Sequence, residues 1–159
     1  MAVNAYLVID SIPGPSTSRT NAIDILSFSF GASNSAVLGA GSSGGEARAG
    51  RANFSDITIM KVLDKTSPLL FDSCVNGTFL EKVELLYDKP VGGTPTDYFT
   101  ILLDNALISS VQLSGSSENP VESVSFAFSK VKVSYNPEED GAMKGFIDKG
   151  FDVLKLEKW

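Results

Sequence analysis

The 159-residue chain contains no histidine, and this absence removes the residue that most often serves as metal ligand, general base or pH switch. The single cysteine, Cys74, excludes an intrachain disulfide and a thiolate metal cluster. The sequence therefore predicts no metal centre and no cofactor site. It also lacks the nucleophile–base combinations of the common hydrolases, so we expect a protein that is not an enzyme.

Positive charge and long apolar runs are also scarce. The chain carries 13 Lys and Arg against 19 Asp and Glu, a formal net charge of −6. This balance argues against nucleic acid and anionic membranes as partners, because both are bound through Lys and Arg. No apolar run approaches the roughly 20 residues of a membrane span. The first residues lack the basic and apolar regions of a conventional signal peptide, so we expect synthesis in a reducing cytoplasm.

Alternating apolar residues are the dominant pattern in what remains. Hydrophobic residues make up 43% of the chain and charged residues 20%, as in a globular domain, and we expect residues 1–159 to form a single domain. The alternation predicts strands at 5–9, 23–30, 98–105, 107–113, 121–135 and 151–156, with two more flanking a helix. The predicted fold is mainly β, a small β-barrel of two packed sheets with one short flanking α-helix and an extended Gly-rich loop.

Two of these strands have informative side-chain phases. In strand 23–30 the large residues at even positions are predicted to face one side, and the odd positions, which include Ser27 and Ser29, the other. In strand 121–135 the large residues change from even to odd positions after Phe128. A β-bulge near Ser129–Lys130 would keep them all on one face.

The helix is predicted between two strands. Ser67 is a suitable cap for a helix whose first position is Pro68, and Gly77 is suited to end it. One apolar stripe is expected to face the barrel, and it consists of Leu70, Phe71, Cys74 and Val75. Cys74 is therefore expected to be a packed thiol.

Small residues dominate 39–50, a segment that cannot bury enough apolar surface to order by itself. It is either a flexible hairpin loop or an arm that orders on a neighbouring subunit. The candidate contact residues are Gly39, Gly41, Ser42, Gly44, Gly45, Glu46, Arg48 and Arg51. Residues 41–45 also match the G-x-S-x-G pattern of hydrolases, but no helical pattern follows and no histidine is available as base.

Three stretches resemble one protein family. They are FxDITIxKxLDKTSPLLFxxCxxG at 54–77, IDILSFSFGASNS at 23–35 and ENPVESVSFAFSKVKVSY at 118–135. In their order along the chain, these stretches resemble the haemolysin-coregulated protein (Hcp) family, the tube-forming and secreted component of the type VI secretion system. One departure is visible, because many family members carry a histidine shortly before the acidic strand, where this chain has Thr20 and Asn21.

The resemblance implies an assembly. Family members form homohexameric rings with a wide channel, and the rings stack into an inner tube within a contractile sheath that bears a spike. The implied partners are the chain itself, sheath and spike proteins, and secreted effectors that ride in the lumen. The implied location is the cytoplasm before firing, followed by export through the type VI route without a signal peptide. The Gly-rich loop would contact the adjacent ring.

Small polar residues opposite large apolar ones are candidates for the channel lining. We predict that Ser27 and Ser29 line the lumen and contact cargo, although the same pattern suits an ordinary solvated sheet face. The residues leave three alternatives open. The chain could be a tail-tube protein of a phage-like contractile particle, a stand-alone β-barrel module that binds saccharide or peptide, or an enzyme of unrecognised type.

Overall fold

The computed structural model describes residues 3–35 and 50–159. Within these ranges the backbone forms one helix, α1 (Ser67–Val75), and thirteen strands. The strands are β1 (Asn4–Ile9), β2 (Ile23–Asp24), β3 (Ser27–Ser29), β4 (Ala32–Asn34), β5 (Ala52–Phe54), β6 (Ile57–Val62), β7 (Phe79–Val91), β8 (Thr94–Ser114), β9 (Val121–Tyr135), β10 (Glu138–Glu139), β11 (Ala142–Met143), β12 (Ile147–Asp152) and β13 (Glu157–Lys158).

Nine of the strands form one curled sheet. Its order is β13-β12-β9-β8-β7-β1-β2, and β6 joins it by pairing with both β9 and β3. Between β2 and β3, the backbone N–H of Ile25 donates to Ala5 and that of Leu26 donates to Met60. These two bonds bring the ends of the sheet together around one core. Over residues 3–35 and 50–159 the result is a barrel-like β-sandwich with a single helix, which confirms the predicted fold class.

The core occupies the inside of this curl. It contains alternate residues from six strands and one helix residue, which include Leu7, Ile59, Leu70, Val83, Leu103, Val124 and Phe126. Burying these aliphatic and aromatic side chains supplies the main driving force for folding, at roughly 25 cal/mol per Å² of apolar surface. A second, smaller cluster of Tyr6, Ala22 and Leu86 lies on the outer face of the sheet, under the segment that connects β1 to β2.

In three neighbouring strands, the buried side chains change from one face of the strand to the other near the same row of the sheet. The buried positions move from Leu80 to Val83 in β7, from Ala106 to Leu103 in β8, and from Phe126 to Val131 in β9. The change of phase predicted in strand 121–135 is therefore present. The predicted β-bulge at Ser129–Lys130 is wrong, however, because the β8–β9 register is unbroken there and shifts only between Ile108 and Ser110.

Asn105 lies at the centre of this bend. Its φ of 50° places it in the left-handed region, which asparagine tolerates better than most residues. Its side-chain amide donates to Ser129 Oγ at 3.1 Å, and that hydroxyl donates back to the Asn105 carbonyl at 3.2 Å. These bonds hold the bend without ending the strand. The two strands predicted at 98–105 and 107–113 are accordingly one strand, β8.

The predicted strand 23–30 is interrupted at Ile25 and Leu26. Ile25 is buried, whereas Leu26 is 61% exposed, so the uniform alternation that we expected does not hold. Phe28 and Phe30 do pack against the core. The reason for the break is the change of partner from β1 to β6, which requires the chain to turn between two ladders. The strand predicted at 151–156 also ends earlier, since β12 ends at Asp152.

Helix α1 begins one residue earlier than predicted, with Thr66 as N-cap and no side-chain capping bond. Pro68 occupies the first turn, and Gly77 has the expected positive φ of 62°. Only half of the predicted apolar stripe is correct. Leu70 is fully buried and Cys74 packs against the core, whereas Phe71 and Val75 are exposed.

A buried ion pair joins the helix to the sheet. Lys61 of β6 and Glu122 of β9 are direct cross-strand neighbours, both are fully buried, and Lys61 Nζ donates to Glu122 Oε1. Ser67 Oγ donates to the same carboxylate oxygen at 2.7 Å. Asp64 Oδ1 lies 3.2 Å from Lys61 Nζ. The hydroxyl of the first helix residue is therefore bound directly to the charge pair.

Removing one member of this pair is expected to leave an unpaired buried charge. We predict that Lys61→Met lowers the free energy of unfolding by about 3–5 kcal/mol, and that adding Glu122→Leu restores most of the loss. Urea denaturation measures both values. As the control, the exposed neighbour Lys65→Met should change stability by less than about 0.5 kcal/mol. A loss in Lys61→Met as small as that of the control would contradict the structural role of the pair.

Candidate functional site

The two serines predicted to line a lumen lie on an exposed sheet face. Ser27 and Ser29 are both exposed and flank Phe28, whose ring points to the core. Their strand β3 pairs with β6, which places Ser27 opposite Met60 and Ser29 opposite Thr58. Side chains directly opposite each other lie on the same face of a sheet, so both pairs point outward.

The same two rows continue across two further strands. Met60 and Thr58 pair with Ser123 and Ser125 of β9, and these pair with Gln112 and Ser110 of β8. Thr58 Oγ1 and Ser125 Oγ are hydrogen-bonded at 2.9 Å. We call these eight side chains the serine face; they are Ser27, Ser29, Thr58, Met60, Ser110, Gln112, Ser123 and Ser125. Seven carry a hydroxyl or amide, and none carries a charge.

The sheet that bears the serine face has two edges. Its order is β3, β6, β9 and the last part of β8, residues 108–114. Strand β7 pairs with β8 only as far as Leu107. Within the ranges 3–35 and 50–159, neither β3 nor the 108–114 segment has a strand partner on its outer side. Such edges present free backbone donors and acceptors to another chain.

The Gly-rich segment is connected to the barrel by a short ribbon. Strands β4 and β5 pair from Ala32–Phe54 to Asn34–Ala52, and Ser35 N donates to the Arg51 carbonyl at 3.4 Å. Arg51 is exposed at the end of this ribbon that leads to the Gly-rich segment. The other predicted contact residues lie outside the described residues; they are Gly39, Gly41, Ser42, Gly44, Gly45, Glu46 and Arg48. The G-x-S-x-G pattern lies there too.

A charged groove occupies the other side of the barrel. The segment 13–22 crosses Tyr6 and is held by Arg19, whose guanidinium forms two bonds to Asp97 at 2.6 and 2.9 Å. This hydrogen bonding raises the pKa of Arg19. Beside the ion pair lies a cavity of about 350 Å³, which Glu84 and Lys132 also line. The contrast with the uncharged serine face gives the barrel two chemically different surfaces.

Close approach of the backbone shapes the segment 13–22. A Cβ on Gly14 would lie 2.1 Å from the Ala22 carbonyl oxygen, so only glycine fits there. Gly14 N donates to the carbonyl of Asn21, which has a φ of 61°. Thr20 and Asn21, which stand where many members of the resembled family have a histidine, thus lie in a tight turn beside Arg19.

Sequence reasoning singled out Ser27 and Ser29 of the serine face. It gave no reason to join them with Thr58, Met60, Ser110 and Gln112. The signal that could have found them is the pairing register, because alternation places residues on a face without saying which strands lie side by side. Among the described residues, no group of three His, Cys, Asp or Glu side chains could hold a metal ion.

Comparison with known proteins identifies the family. Residues 6–135 match the family described as "Type VI secretion system effector, Hcp". The chain is also similar to "Protein hcp1" of Pseudomonas aeruginosa, with 35% identity over 150 residues that cover 91% of each chain. The chain therefore belongs to the Hcp family of the type VI secretion system. Its members are secreted tube proteins and are not a known enzyme family.

Solved structures agree with this assignment. A structure described as a type six secretion system protein superposes with a TM-score of 0.88 at 26% identity and covers 99% of this chain and all of the other. Hcp1 from Salmonella typhimurium superposes with a TM-score of 0.81 at 25% identity over all of both chains. In the part of the chain that the structure describes, no helix is long and apolar enough to cross a membrane.

The burial of Tyr6 generates a prediction about alkaline pH. Burial raises the pKa of the Tyr6 hydroxyl, and it also raises that of Tyr87. A raised pKa means that the folded state holds the proton more tightly than the unfolded state. The stabilisation of the folded state that results is fully present below the unfolded-state pKa of about 10, and it is lost as the pH rises through the folded-state pKa.

We therefore expect the free energy of unfolding to fall above about pH 10. The fall should be less steep in Tyr6→Phe, because Tyr87 is then the remaining tyrosine with a raised pKa. Urea titrations between pH 8 and 11 measure this slope. Equal slopes in the two proteins would show that Tyr6 ionises as freely in the folded state as in the unfolded state.

Proposed function

We propose that this chain assembles into homohexameric rings that stack into the inner tube of a type VI secretion system. The tube carries effectors in its lumen and is expelled by contraction of the surrounding sheath, with a spike protein at its tip. The observation that carries this proposal is the four-stranded sheet with an uncharged polar face and two unpartnered edges. The family assignment supplies the secretion context.

The strand directions favour ring closure. All three pairings in β3-β6-β9-β8 are antiparallel, so the two edge strands run in opposite directions. Rotation about a channel axis leaves unchanged whether each strand runs up or down along that axis. The β3 edge of one copy would therefore meet the β8 edge of the next in the antiparallel sense, and the ladder would continue around the ring. The contact is heterologous, as ring formation requires.

The size of such a ring follows from sheet geometry. Six copies of a four-stranded sheet make a barrel of twenty-four strands. With strands about 4.8 Å apart and tilted by about 35–45°, the backbone diameter is roughly 45–50 Å. A barrel of this width has an open channel rather than a packed interior. The small side chains of the serine face would keep that channel wide.

The chemistry of the serine face suits temporary cargo binding. Hydroxyl and amide groups exchange hydrogen bonds with water at little net gain, about 0.5–1.5 kcal/mol each. Because the face is uncharged, it neither attracts nor repels a cargo protein on the basis of the net charge of that cargo. Ser29 and Ser27 are the exposed members at one edge of this face, so we propose that they contact effectors in the lumen.

The ribbon β4–β5 supports a role for the Gly-rich segment between rings. It leaves the curled sheet as a separate two-stranded element and forms no ladder with the other strands that the structure describes. We propose that residues 39–51 contact the adjacent ring. The assembled tube would form in the cytoplasm before firing and leave the cell by the type VI route.

The mass of the purified protein tests ring formation. Light scattering after size exclusion should give about six times the 16.9 kDa of the chain, and negative-stain images should show rings. Deleting residues 41–48 should leave this hexamer intact and reduce stacking of rings into tubes. Normal tubes from the deletion variant would contradict the role of the arm. A wild-type monomer at high concentration would favour the stand-alone binding module.

A substitution on the serine face tests cargo binding. Ser29→Gln adds bulk at six positions around the channel and should reduce effector recovery about tenfold, equivalent to ~1.4 kcal/mol per bound effector. Recovery is measured by mass spectrometry of effectors that co-purify with tagged rings from the producing strain. The control is Thr17→Gln, on the segment 13–22 away from the serine face. Unchanged recovery in Ser29→Gln, with intact rings, would exclude Ser29 from cargo contact.

A further inference from the structure

An apolar surface surrounds the helix. Four of the exposed large hydrophobic side chains lie on α1 or face it from β8, and we call them the α1 surface; they are Leu69, Phe71, Val75 and Leu113. Beside Phe71 and Leu113, which are 52% and 54% exposed, lies a cavity of about 290 Å³. Leu63 and Pro68 complete its apolar lining, and the one hydroxyl there, that of Ser67, is already bound to Glu122.

The extent of the α1 surface indicates a binding role. A large apolar side chain carries on the order of 150–200 Å², so these four side chains, each about half exposed, offer on the order of 300–400 Å². That is a large part of the ~800 Å² per partner in a standard protein interface. The largest apolar patch of a monomer is itself roughly 300–600 Å² and is often functional, so this surface is a candidate interaction site.

A complementary knob lies at the opposite edge of the same sheet. Leu113 is on the 108–114 segment and Leu26 directly precedes strand β3. These are the two strands whose outer sides have no strand partner within the ranges 3–35 and 50–159. Leu26 is 61% exposed, yet its backbone N–H donates to Met60 at 2.7 Å, which holds it in place. An apolar side chain on a fixed backbone loses little entropy on binding.

We infer that Leu26 of one copy inserts into the cavity between α1 and β8 of the next copy. This inference rests on the proposed ring, and it names the side chains that join neighbouring subunits. The cavity is several times the ~30 Å³ share of a water molecule, so a leucine side chain fits. Each copy carries one knob and one cavity at opposite edges, which is the arrangement that a closed ring needs.

The flanking charges favour a second copy as the occupant. Asp24 stands two residues before Leu26, and Lys65 stands two residues before the start of α1. Both are exposed, and in the described ranges neither forms an ion pair. Insertion of Leu26 beside the helix would bring this carboxylate and this ammonium group toward each other across the contact.

The experiment uses one variant on each side of the contact. Leu26→Glu and Phe71→Glu should each shift the particle mass from the hexamer to 16.9 kDa, with unchanged circular dichroism and urea midpoint. A mixture of the two variants retains one intact knob and one intact cavity. It should therefore form heterodimers of twice 16.9 kDa and no rings. The control is Leu154→Glu, which is 75% exposed outside both surfaces and should form normal rings.

The outcomes separate this inference from the proposed function. Normal rings from both variants would overturn the inference, leave the ring itself intact, and assign the α1 surface to a different protein. Loss of rings in each variant, with heterodimers in the mixture, would support it. Loss of rings without heterodimers would overturn the knob-and-cavity pairing. A wild-type protein that forms no ring would overturn the proposed function and the inference together.

Discussion

The buried pair of Lys61 and Glu122 is the constraint on which the rest of the structure depends. A charge inside an apolar core is tolerated only with a partner of opposite charge and with further hydrogen bonds. The pair meets that requirement at one carboxylate oxygen, because β6 and β9 place the two residues directly opposite each other and the helix brings Ser67 to Glu122 Oε1. Glu122 Oε2 is buried and has no hydrogen-bond partner among the described residues. A slip of one residue between the strands would separate the charges and expose the core face.

This constraint also determines which residues face outward. With Lys61 and Glu122 turned inward, their neighbours Met60 and Ser123 must point to the other side, and the serine face follows from the same register. The pair also anchors the start of α1 beside the sheet. The position of the helix then leaves Phe71 and Leu113 around an open cavity. One buried interaction thus orients both surfaces that we connect with assembly.

The bend at Asn105 has a different consequence. It lets β7, β8 and β9 bury opposite faces on either side of one row, so these long strands contribute to two differently oriented layers. One layer carries the uncharged serine face, and the other carries the charged groove near Arg19. Asn105 achieves this through a positive φ and two hydrogen bonds with Ser129, without a shift in strand register.

Local patterns predicted the elements that depend on local forces. Alternation located the main strands, Pro68 and Gly77 located the helix, and three stretches identified the Hcp family. The wrong predictions concern places where segments that are distant in the sequence meet in the fold. The break at Leu26 reflects a change of strand partner, and the exposure of Phe71 reflects how α1 lies on β8. For the same reason Thr58, Met60 and Gln112 joined the serine face only once the pairings were known.

By itself the sequence determined the fold class, the family, the helix α1 and the absence of histidine chemistry, because these follow from composition and from the order of residues along the chain. Only the tertiary structure decided the pairing of Lys61 with Glu122, the membership of the serine face and the exposure of Leu26. Those features depend on which residues lie opposite each other across strands, and register is a property of the whole packed sheet rather than of any one segment.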